Sequence, residues 1–401
     1  MDALDIIIGI LGILIGYLLG AVNPGYIFGR LKGIDIRKEG TGNAGTANVY
    51  RTLGLVYTIP TALYDSSKGL LAILIAYILG VDFMFMQISG LVAVVGHVFP
   101  FYMQFRGGQG MATSTGIMIF YLINYSVAGP QIFYMFIFIF ILIALFIYIS
   151  RRGTVLAIIV LPLLGYSVFV NYPESPFNIH FLILMFYMCA LPTYLIIRDK
   201  KIVIDDEEFK SRWWRVAIRP VSLLFLLFYF VYSKQVCLYV IGVVSLCFIS
   251  LDHFRFIHKR TNILLTEKIK AIFRKGEEKR LSSMTIFLIS TFLTVLLFEI
   301  EIAITALIFL VFGDMFGKIF GLAYGRHKIF EKSLEGTLAF YGCVLIFGYI
   351  LFTSIDIPLI ILILGGIAAP LIELFPSGLN DNFTVPVISG AVMFATQLFL
   401  L

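Results

Sequence analysis

A glycine-rich polar segment at residues 40–54 carries the residue types best suited to chemistry, and it lies beside apolar stretches of membrane length. Glycine lets successive backbone N–H groups converge on one point, and the segment adds hydroxyl, amide and guanidinium donors. Such a set of donors suits phosphate. A turn at a membrane interface would also contain glycine, but it would not need so many hydrogen-bonding groups. The candidate anion-binding residues are Thr41, Gly42, Asn43, Thr46, Asn48 and Arg51.

Asp65 and Lys68 place opposite charges three residues apart inside an otherwise apolar stretch. On a helix this spacing puts both side chains on one face. Charged groups at membrane depth are costly and usually serve a function, so we expect Lys68 to take part in the chemistry. The alternative is a lysine at the end of a span, whose ammonium group reaches the headgroup layer.

His97 precedes a second glycine-rich loop that leads into another apolar stretch. Glycines before a helix N-terminus predict backbone N–H groups that hold an anion together with the helix dipole. A lone membrane histidine usually bonds a neighbouring helix, but beside this loop we interpret His97 as functional. The candidate anion-binding residues of the loop are Arg106, Gly107, Gly108, Gln109 and Gly110.

The second half of the chain has its own polar constellation, which begins at Asp314 and returns at Asp381. A carboxylate able to hold Mg²⁺, followed by a basic and glycine-rich loop, suits a nucleoside triphosphate. We expect Asp314 and Asp381 to meet at one Mg²⁺ ion. Close helix packing would explain Gly317 and Gly321, but it would not explain the charged residues of the loop. The candidate nucleotide-binding residues are Lys328, Lys332, Ser333, Glu335 and Gly336.

The composition determines which elements must position these residues. The 401 residues are 60% hydrophobic and 13% charged, and the mean hydropathy is +0.97. These values exclude a water-soluble globule and predict an all-α, polytopic integral membrane protein with about fourteen transmembrane helices. The acidic start of the chain, without a basic region or a cleavage site, favours a retained first span. The predicted spans centre on residues 6–22, 55–79, 84–103, 113–128, 131–149, 154–170, 179–197, 217–232, 235–251, 284–299, 301–316, 337–352, 357–374 and 385–401.

The longest polar loops divide these spans into two seven-helix units. We predict a first domain at residues 1–198, a linker at 199–216 and a second domain at 217–401. The basic loop at 252–283 suits a helix lying at the headgroup level, with a solvated connecting helix as the alternative.

Lysine and arginine clusters fall on one face of this arrangement, which the positive-inside rule assigns to the cytoplasm. The net charge of +6 is therefore a topology signal, and no nucleic-acid partner is expected. The four cysteines are scattered through apolar stretches, so packing is their expected role. None of the five histidines has metal-ligand spacing to another, so no metal site built from them is expected.

Residues 10–198 resemble the bacterial acyl-phosphate:glycerol-3-phosphate acyltransferases of the PlsY type, on the motifs from Asp35 to Gly54, at Asp65/Lys68 and from His97 to Thr113. The resemblance implies transfer of a fatty acyl group from acyl phosphate to glycerol 3-phosphate, which yields lysophosphatidate without a cofactor. It implies that Arg51, Lys68 and the loop amides offset the phosphate charges. His97 would then orient or deprotonate the acceptor hydroxyl.

The chain departs from that family's pattern at two places. Gln109 occupies the position where the family's glycine loop usually has a lysine, and the usual C-terminal motif has no clear counterpart near residues 196–210. An altered substrate or an inactive acyltransferase half therefore stays open.

Residues 217–401 resemble the CTP-dependent lipid kinases for dolichol, phytol and diacylglycerol, and related cytidylyltransferases share parts of the pattern. The resemblance is carried by the stretch from Lys332 to Thr337, by Asp381-Asn382 and by residues 273–281. It implies phosphoryl transfer from CTP, with Mg²⁺, to the hydroxyl of a membrane lipid.

The leading hypothesis is thus a multi-pass cell-membrane enzyme that fuses an acyltransferase to a kinase-like unit, with both sites facing the cytoplasm. One alternative is a degenerate acyltransferase half whose partner domain is the working kinase or cytidylyltransferase. A lipid or phosphate transporter is the other alternative. The sequence does not identify the lipid alcohol or the oligomeric state.

Overall fold

The computed structural model describes residues 3–151, 153–198, 219–258, 262, 280–355, 357–375 and 378–400. Within these ranges the regular secondary structure is helical apart from one two-stranded hairpin. Nine of the described helices are long and apolar enough to cross a membrane, and three shorter apolar helices accompany them. The protein is an all-α, polytopic membrane protein, as the composition predicts.

The predicted number of fourteen spans is not confirmed. The stretch expected at 217–232 consists of a 3₁₀ segment, Arg219–Leu224, and a helix of only seven residues, Phe225–Val231. The stretch expected at 301–316 extends to Tyr324 and contains a π-helical segment, Phe309–Gly313. Hydrophobic length alone does not reveal such breaks, because they depend on local hydrogen bonding.

Two compact units make up the fold. The first unit comprises Met1–Phe140 and Ala157–Leu195, and the second comprises Ile141–Leu156 and Ile196–Leu401. The short segment 141–156, which the sequence places in the first domain, thus groups with the second unit. The predicted linker at 199–216 and most of the basic loop expected to form an interfacial helix lie outside the described residues.

Seven of the nine described α-helices in the first part of the chain correspond to the seven expected spans, whereas the short helices Pro24–Leu31 and Thr46–Leu53 were not predicted. The nine helices are α1 Ala3–Ala21, α2 Pro24–Leu31, α3 Thr46–Leu53, α4 Leu55–Ile78, α5 Phe83–Val98, α6 Met111–Ala128, α7 Gln131–Ser150, α8 Gly153–Asn171 and α9 Asn178–Arg198. Two 3₁₀ turns, Ile36–Lys38 and Phe101–Met103, lie between them.

A glycine face explains how α1 packs on α5. Gly16 and Gly20 lie against the backbone of Ser89 and Ala93, and a Cβ atom on either glycine would overlap it. Small residues at this spacing let helix backbones approach closely in a membrane. This packing fixes the end of α5, where His97 lies, against the end of α1.

The chain turns sharply after α1 at Asn23. The Asn23 side chain caps α2 by accepting a hydrogen bond from the backbone N–H of Tyr26, and Pro24 starts that helix. The Tyr102 hydroxyl donates to Ala21 O and accepts from the Asn23 N–H. The turn leaves the carbonyl of Val22 facing the interior of the first unit, where it accepts a hydrogen bond from Lys68 Nζ.

Within its described residues, the second unit contains eight further α-helices. They are α10 Phe225–Val231, α11 Lys234–Ile257, α12 Ser283–Leu297, α13 Ile300–Ile308, α14 Asp314–Tyr324, α15 Leu334–Ser354, α16 Leu359–Leu374 and α17 Asp381–Leu400. Strands β1 (Lys328–Ile329) and β2 (Lys332–Ser333) form an antiparallel hairpin between α14 and α15.

Close packing of α14 on α15 accounts for part of the glycine pattern in this unit. A Cβ atom at Gly336 would lie 2.8 Å from the carbonyl oxygen of Gly317. Close helix packing therefore explains Gly317 and Gly321, as the alternative predicted, but it does not explain the charged residues. The charged residues around them form the cavities described below.

Candidate functional site

Asp65, Lys68 and His97 meet in the interior of the first unit. Lys68 Nζ lies 2.9 Å from Asp65 Oδ1, 2.6 Å from His97 Nδ1 and 3.1 Å from the carbonyl oxygen of Val22. His97 Nδ1 is also 3.4 Å from Asp65 Oδ1. An ammonium group has three N–H donors, and here each has an acceptor.

The roles expected for Lys68 and His97 in catalysis stay predictions. In this structure Lys68 is fully buried and His97 is 2% exposed. The Lys68 donors are all used within the protein, and the His97 ring lies directly beneath Gly108. His97 packs directly against the second glycine loop, and Lys68 holds His97.

The second glycine loop, residues 104–110, lies over His97. The N–H of Gly107 donates to Val98 O at 2.9 Å, and the N–H of Gly108 donates to His97 O at 3.1 Å. Side chains at these positions would overlap His97 and Pro100, so glycine is needed for close packing. The two amides expected to cradle an anion are thus used inside the loop.

Gln109 and Gly110 complete this loop. The Gln109 carbonyl accepts a hydrogen bond from the Tyr187 hydroxyl at 2.7 Å, while its side chain is exposed. Gly110 adopts a left-handed conformation with φ of 66° immediately before α6. The loop therefore presents the side chain of Gln109 and the N-terminus of α6.

The first glycine loop, residues 40–45, is organised by Asn48. The Asn48 amide donates to the carbonyls of Ile36, Glu39 and Asn43 and accepts from the N–H of Thr41 at 2.7 Å. Asn48 is 1% exposed. Its side-chain hydrogen bonds go to the loop backbone, so Asn48 positions the loop in this structure, and its binding of phosphate stays a prediction.

The two glycine loops are tied together. Arg37 forms two side-chain hydrogen bonds to Asp35, at 3.0 and 2.8 Å, and donates to Met103 O at 2.7 Å. This hydrogen bonding from Arg37 holds the pKa of Asp35 at about 2. A small apolar cluster of Ile36, Ala44, Val49 and Met103 fills the space beneath.

Several candidate residues remain available to a ligand on the surface of these loops. Arg51 and Arg106 are exposed, and within the described part of the chain neither guanidinium has a hydrogen-bond or ion-pair partner. Thr41 and Gln109 are exposed as well, Asn43 is half-buried, and the Thr46 hydroxyl is buried without a partner. Gly42 is exposed, but its N–H donates to Glu39 O. We call Thr41, Arg51, Arg106 and Gln109 the loop rim.

Sequence reasoning missed the residues that join the motifs. Tyr102 bonds the turn at Asn23 across 79 residues of chain, and Tyr187 bonds Gln109 across 78. Nothing local marks these contacts. Asp35 and Arg37 are close in the sequence and have opposite charges, so their pairing is a local pattern. The hydrogen bond from Arg37 to Met103 O has no such local signal.

The charged residues of the second unit form ion pairs. Lys318 Nζ lies 2.6 Å from Asp314 Oδ2, while Lys332 contacts both Glu373 and Asp381, the latter at 2.9 Å. Burial alone would lower the pKa of Lys332, but the carboxylates of Glu373 and Asp381 outweigh it and raise that pKa above its usual value.

Two cavities adjoin these ion pairs and share Lys318, Glu331, Lys332 and Glu373. The glycine cavity has a volume of about 350 Å³, and its lining includes Gly317, Gly321, Gly325, Lys328, Ser333 and Gly336. The carboxylate cavity has a volume of about 630 Å³, and its lining includes Asp314, Asn380, Asp381 and Asn382. Glu373 was not selected from the sequence, although it is a lone carboxylate in an apolar stretch.

Two expectations for this unit, the shared Mg²⁺ site and the role of Glu335 in nucleotide binding, stay predictions, and the structure places their residues as follows. Asp314 and Asp381 line one cavity, but each pairs with a different lysine, and the described residues contain no group of three His, Cys, Asp or Glu side chains arranged to hold a metal ion. Glu335 is fully buried and bonds the backbone and side chains of residues 326–327, so it does not line the glycine cavity.

The first half of the chain is similar to known glycerol-3-phosphate acyltransferases. The model of the family described as glycerol-3-phosphate acyltransferase matches residues 10–201. Glycerol-3-phosphate acyltransferase of Bacillus velezensis is 32% identical over 50% of this chain and 97% of its own length. The enzymes of Bacillus subtilis and Trichlorobacter lovleyi are 33% and 40% identical, over 50% and 40% of this chain and 96% and 77% of their own lengths.

The chain belongs to the glycerol-3-phosphate acyltransferase family. The resemblance drawn from the motifs of residues 10–198 is thereby confirmed. The glycerol-3-phosphate form of PlsY, an integral membrane glycerol 3-phosphate acyltransferase, is a solved structure with 27% identity and a TM-score of 0.36, covering 48% of this chain and 90% of that one. All candidate residues from Thr41 to Gly110 fall within the acyltransferase match.

Proposed function

We propose that the first unit transfers a fatty acyl group from acyl phosphate to glycerol 3-phosphate and forms lysophosphatidate. The family membership of residues 10–201 supports the reaction class. The observation that carries the proposal within the molecule is the joining of both glycine loops through Arg37 and Met103, which supports one shared site at the loop rim.

The loop rim supplies what this reaction needs from the protein. Acyl phosphate already contains a good leaving group, so the main task is to bring two phosphate groups together against their repulsion. Arg51 and Arg106 supply positive charge, and Thr41 and Gln109 supply hydrogen bonds. In the balanced reaction, the glycerol oxygen forms the ester, the bond from the acyl carbon to the phosphate oxygen breaks, and the proton ends on the phosphate released.

The membrane holds the acyl chain during this reaction. Extracting a fatty chain from lipid costs about 0.8 kcal/mol per CH₂, so the donor keeps its tail in the bilayer and presents its phosphate at the interface. We place the loop rim on the cytoplasmic face of the cell membrane, because the adjacent loops carry the lysines and arginines. Domain limits of 1–198 and 217–401 are part of this proposal.

The test offers radiolabelled glycerol 3-phosphate to the purified protein with acyl phosphate or with acyl-CoA as the donor. We expect labelled lysophosphatidate with acyl phosphate alone. No lipid product with either donor would indicate a degenerate first unit. Movement of label into sealed vesicles without conversion would instead favour a transporter.

A second activity is favoured by the two adjoining cavities of the second unit. We propose that this unit transfers the γ-phosphoryl group of CTP to the hydroxyl of a membrane lipid. Lys328, Lys332, Ser333 and Gly336 line the glycine cavity and suit phosphate oxygens. Asp314, Asn380 and Asp381 line the carboxylate cavity, and their side-chain oxygens are the kind of ligand that Mg²⁺ prefers. Lysines pair with both carboxylates in this structure.

Mg²⁺, when bound there, would neutralise charge on the nucleotide phosphates. The test incubates the protein with a lipid alcohol and CTP labelled at the γ- or the α-phosphate. Label transferred from the γ-position to lipid supports a kinase, and label transferred from the α-position supports a cytidylyltransferase. Asp314→Asn should abolish either transfer, and absence of any transfer in the wild type would remove this second activity.

A further inference from the structure

A buried carboxylate holds an exposed imidazole beside the hairpin of the second unit. Glu335, in the first turn of α15, is fully buried, whereas the side chain of His327 is 60% exposed. His327 Nδ1 lies 2.7 Å from Glu335 Oε1. The other carboxylate oxygen accepts hydrogen bonds from the backbone N–H groups of Arg326 at 2.9 Å and His327 at 3.1 Å.

This arrangement fixes the orientation of the ring. A carboxylate beside Nδ1 favours the tautomer with its proton on that nitrogen, which leaves the lone pair of Nε2 free to accept a proton. Within the described part of the chain, Nε2 has no partner. The charged groups next to the ring are Glu335, the Arg326 guanidinium, 3.3 Å from Glu335 Oε1, and the neighbouring Lys328.

Chain neighbours of His327 line the glycine cavity, although the His327 side chain is not part of its lining. Gly325 and Lys328, which flank the Arg326–His327 dipeptide, both line that cavity. The His327 carbonyl accepts a hydrogen bond from the N–H of Leu334 at 2.8 Å, and Lys328 pairs with Ser333 across the hairpin. The backbone of His327 is therefore held by the N–H of Leu334, by the Glu335 carboxylate and by the strand pairing of the next residue, Lys328.

We propose that His327 is a general base of the second unit and that Glu335 is its positioning residue; this inference rests on the phosphoryl transfer proposed above. The proton of the lipid hydroxyl moves to Nε2 while the hydroxyl oxygen forms a bond to the γ-phosphorus of CTP. The bond from that phosphorus to the bridging oxygen breaks, and CDP leaves with the electron pair. The imidazolium then returns the proton to water.

The same inference explains why a buried glutamate is needed at position 335. Its carboxylate stabilises the imidazolium that forms during the step and keeps the ring from rotating, as in other carboxylate–histidine pairs. A purely structural role for Glu335 would require only its bonds to the backbone N–H groups of residues 326 and 327. The additional contact between Glu335 Oε1 and His327 Nδ1 is needed only if the imidazole acts as a base, because it orients the ring and stabilises its protonated form.

The test measures kcat, KM for CTP and the pH profile of kcat for full-length protein in mixed micelles containing dioleoylglycerol, phytol or a polyprenol. For His327→Gln we expect kcat to fall by about a hundredfold, with KM for CTP changing by less than about twofold and the acidic limb of the profile lost. The matched control is His253→Gln, an exposed histidine on α11, which should behave as the wild type.

Glu335→Asp and Glu335→Gln test the positioning role. The aspartate variant should retain most of kcat, and the glutamine variant should shift the acidic limb to lower pH, because it no longer stabilises the imidazolium. An active wild type whose kcat and acidic limb survive in His327→Gln would overturn the role of His327 alone. A wild type that phosphorylates no lipid from CTP would overturn the proposed phosphoryl transfer and this role with it.

Discussion

Lys68 Nζ lies 2.6 Å from His97 Nδ1, a contact that joins the middle of α4 to the end of α5. Because Asp65 and the Val22 carbonyl take the remaining donors of the ammonium group, the contact also connects the turn after α1. Three motifs that are separate in the sequence are thereby locked together beneath the second glycine loop. In the function proposed above, the loop rim binds the phosphates and this cluster lies beneath the second glycine loop.

Removing Lys68 should destabilise the first unit. Lys68→Met leaves the Asp65 carboxylate buried without its cation, which we expect to cost about 3–5 kcal/mol of unfolding free energy. Thermal unfolding in detergent measures the effect, and Lys38→Met, an exposed lysine of the same region, is the control. Adding Asp65→Asn to Lys68→Met should recover part of the loss; no recovery would mean that the charge is not its cause.

Gly108→Ala should inactivate acyl transfer without abolishing the fold. A Cβ atom at this position overlaps the His97 imidazole, so the second glycine loop must move away from it. We expect lysophosphatidate formation to fall at least about tenfold. Gly348→Ala, where a Cβ atom meets open space, should leave the rate unchanged; equal rates in both variants would remove the requirement for close packing at residue 108.

Much of the fold could be predicted from the sequence, because apolar length determines where membrane helices lie. The ends of α6 to α9 agree with the expected spans to within two residues. The break near residue 224 could not be predicted, since it depends on local bonding within an evenly apolar stretch. The fold class and the acyltransferase family also followed from composition and motifs.

The candidate site was predicted only as an inventory of donors. The sequence shows that Asn48, Lys68 and Gly108 carry groups able to bind phosphate, but it does not show which of those groups already have partners. Asn48 and Lys68 spend their donors on backbone carbonyls and a buried carboxylate, and the Gly108 amide bonds His97. Only the three-dimensional contacts separate these residues from Arg51 and Arg106, whose charges remain available.

Gln109→Lys should strengthen binding of the acyl donor. Gln109 is exposed on the loop rim, so an added cation there approaches the phosphate through partly solvated surroundings and gains about 1 kcal/mol, or roughly a fivefold lower KM for acyl phosphate. Gln104→Lys, in the same loop, should have no such effect. Identical KM values in the two variants and the wild type would place the phosphate elsewhere.

The ion pair of Asp35 and Arg37 should contribute stability above about pH 4. The pKa of Asp35 is lowered to about 2, so its contribution is complete above the unfolded-state value and is lost as the pH falls toward 2. Acid unfolding curves of the wild type and Asp35→Asn should therefore differ above about pH 4 and converge below it. A constant difference down to pH 2 would exclude ionisation of Asp35 as the cause.

The most direct test of the account is the kinetics of glycerol 3-phosphate acylation in Arg51→Ala and Arg106→Ala, with Lys38→Ala as an exposed control of equal charge change. If the loop rim binds the phosphates, kcat/KM should fall at least about tenfold in both arginine variants and less than about twofold in the control. Rates in the arginine variants equal to that of Lys38→Ala would contradict the assignment of the site to the joined glycine loops.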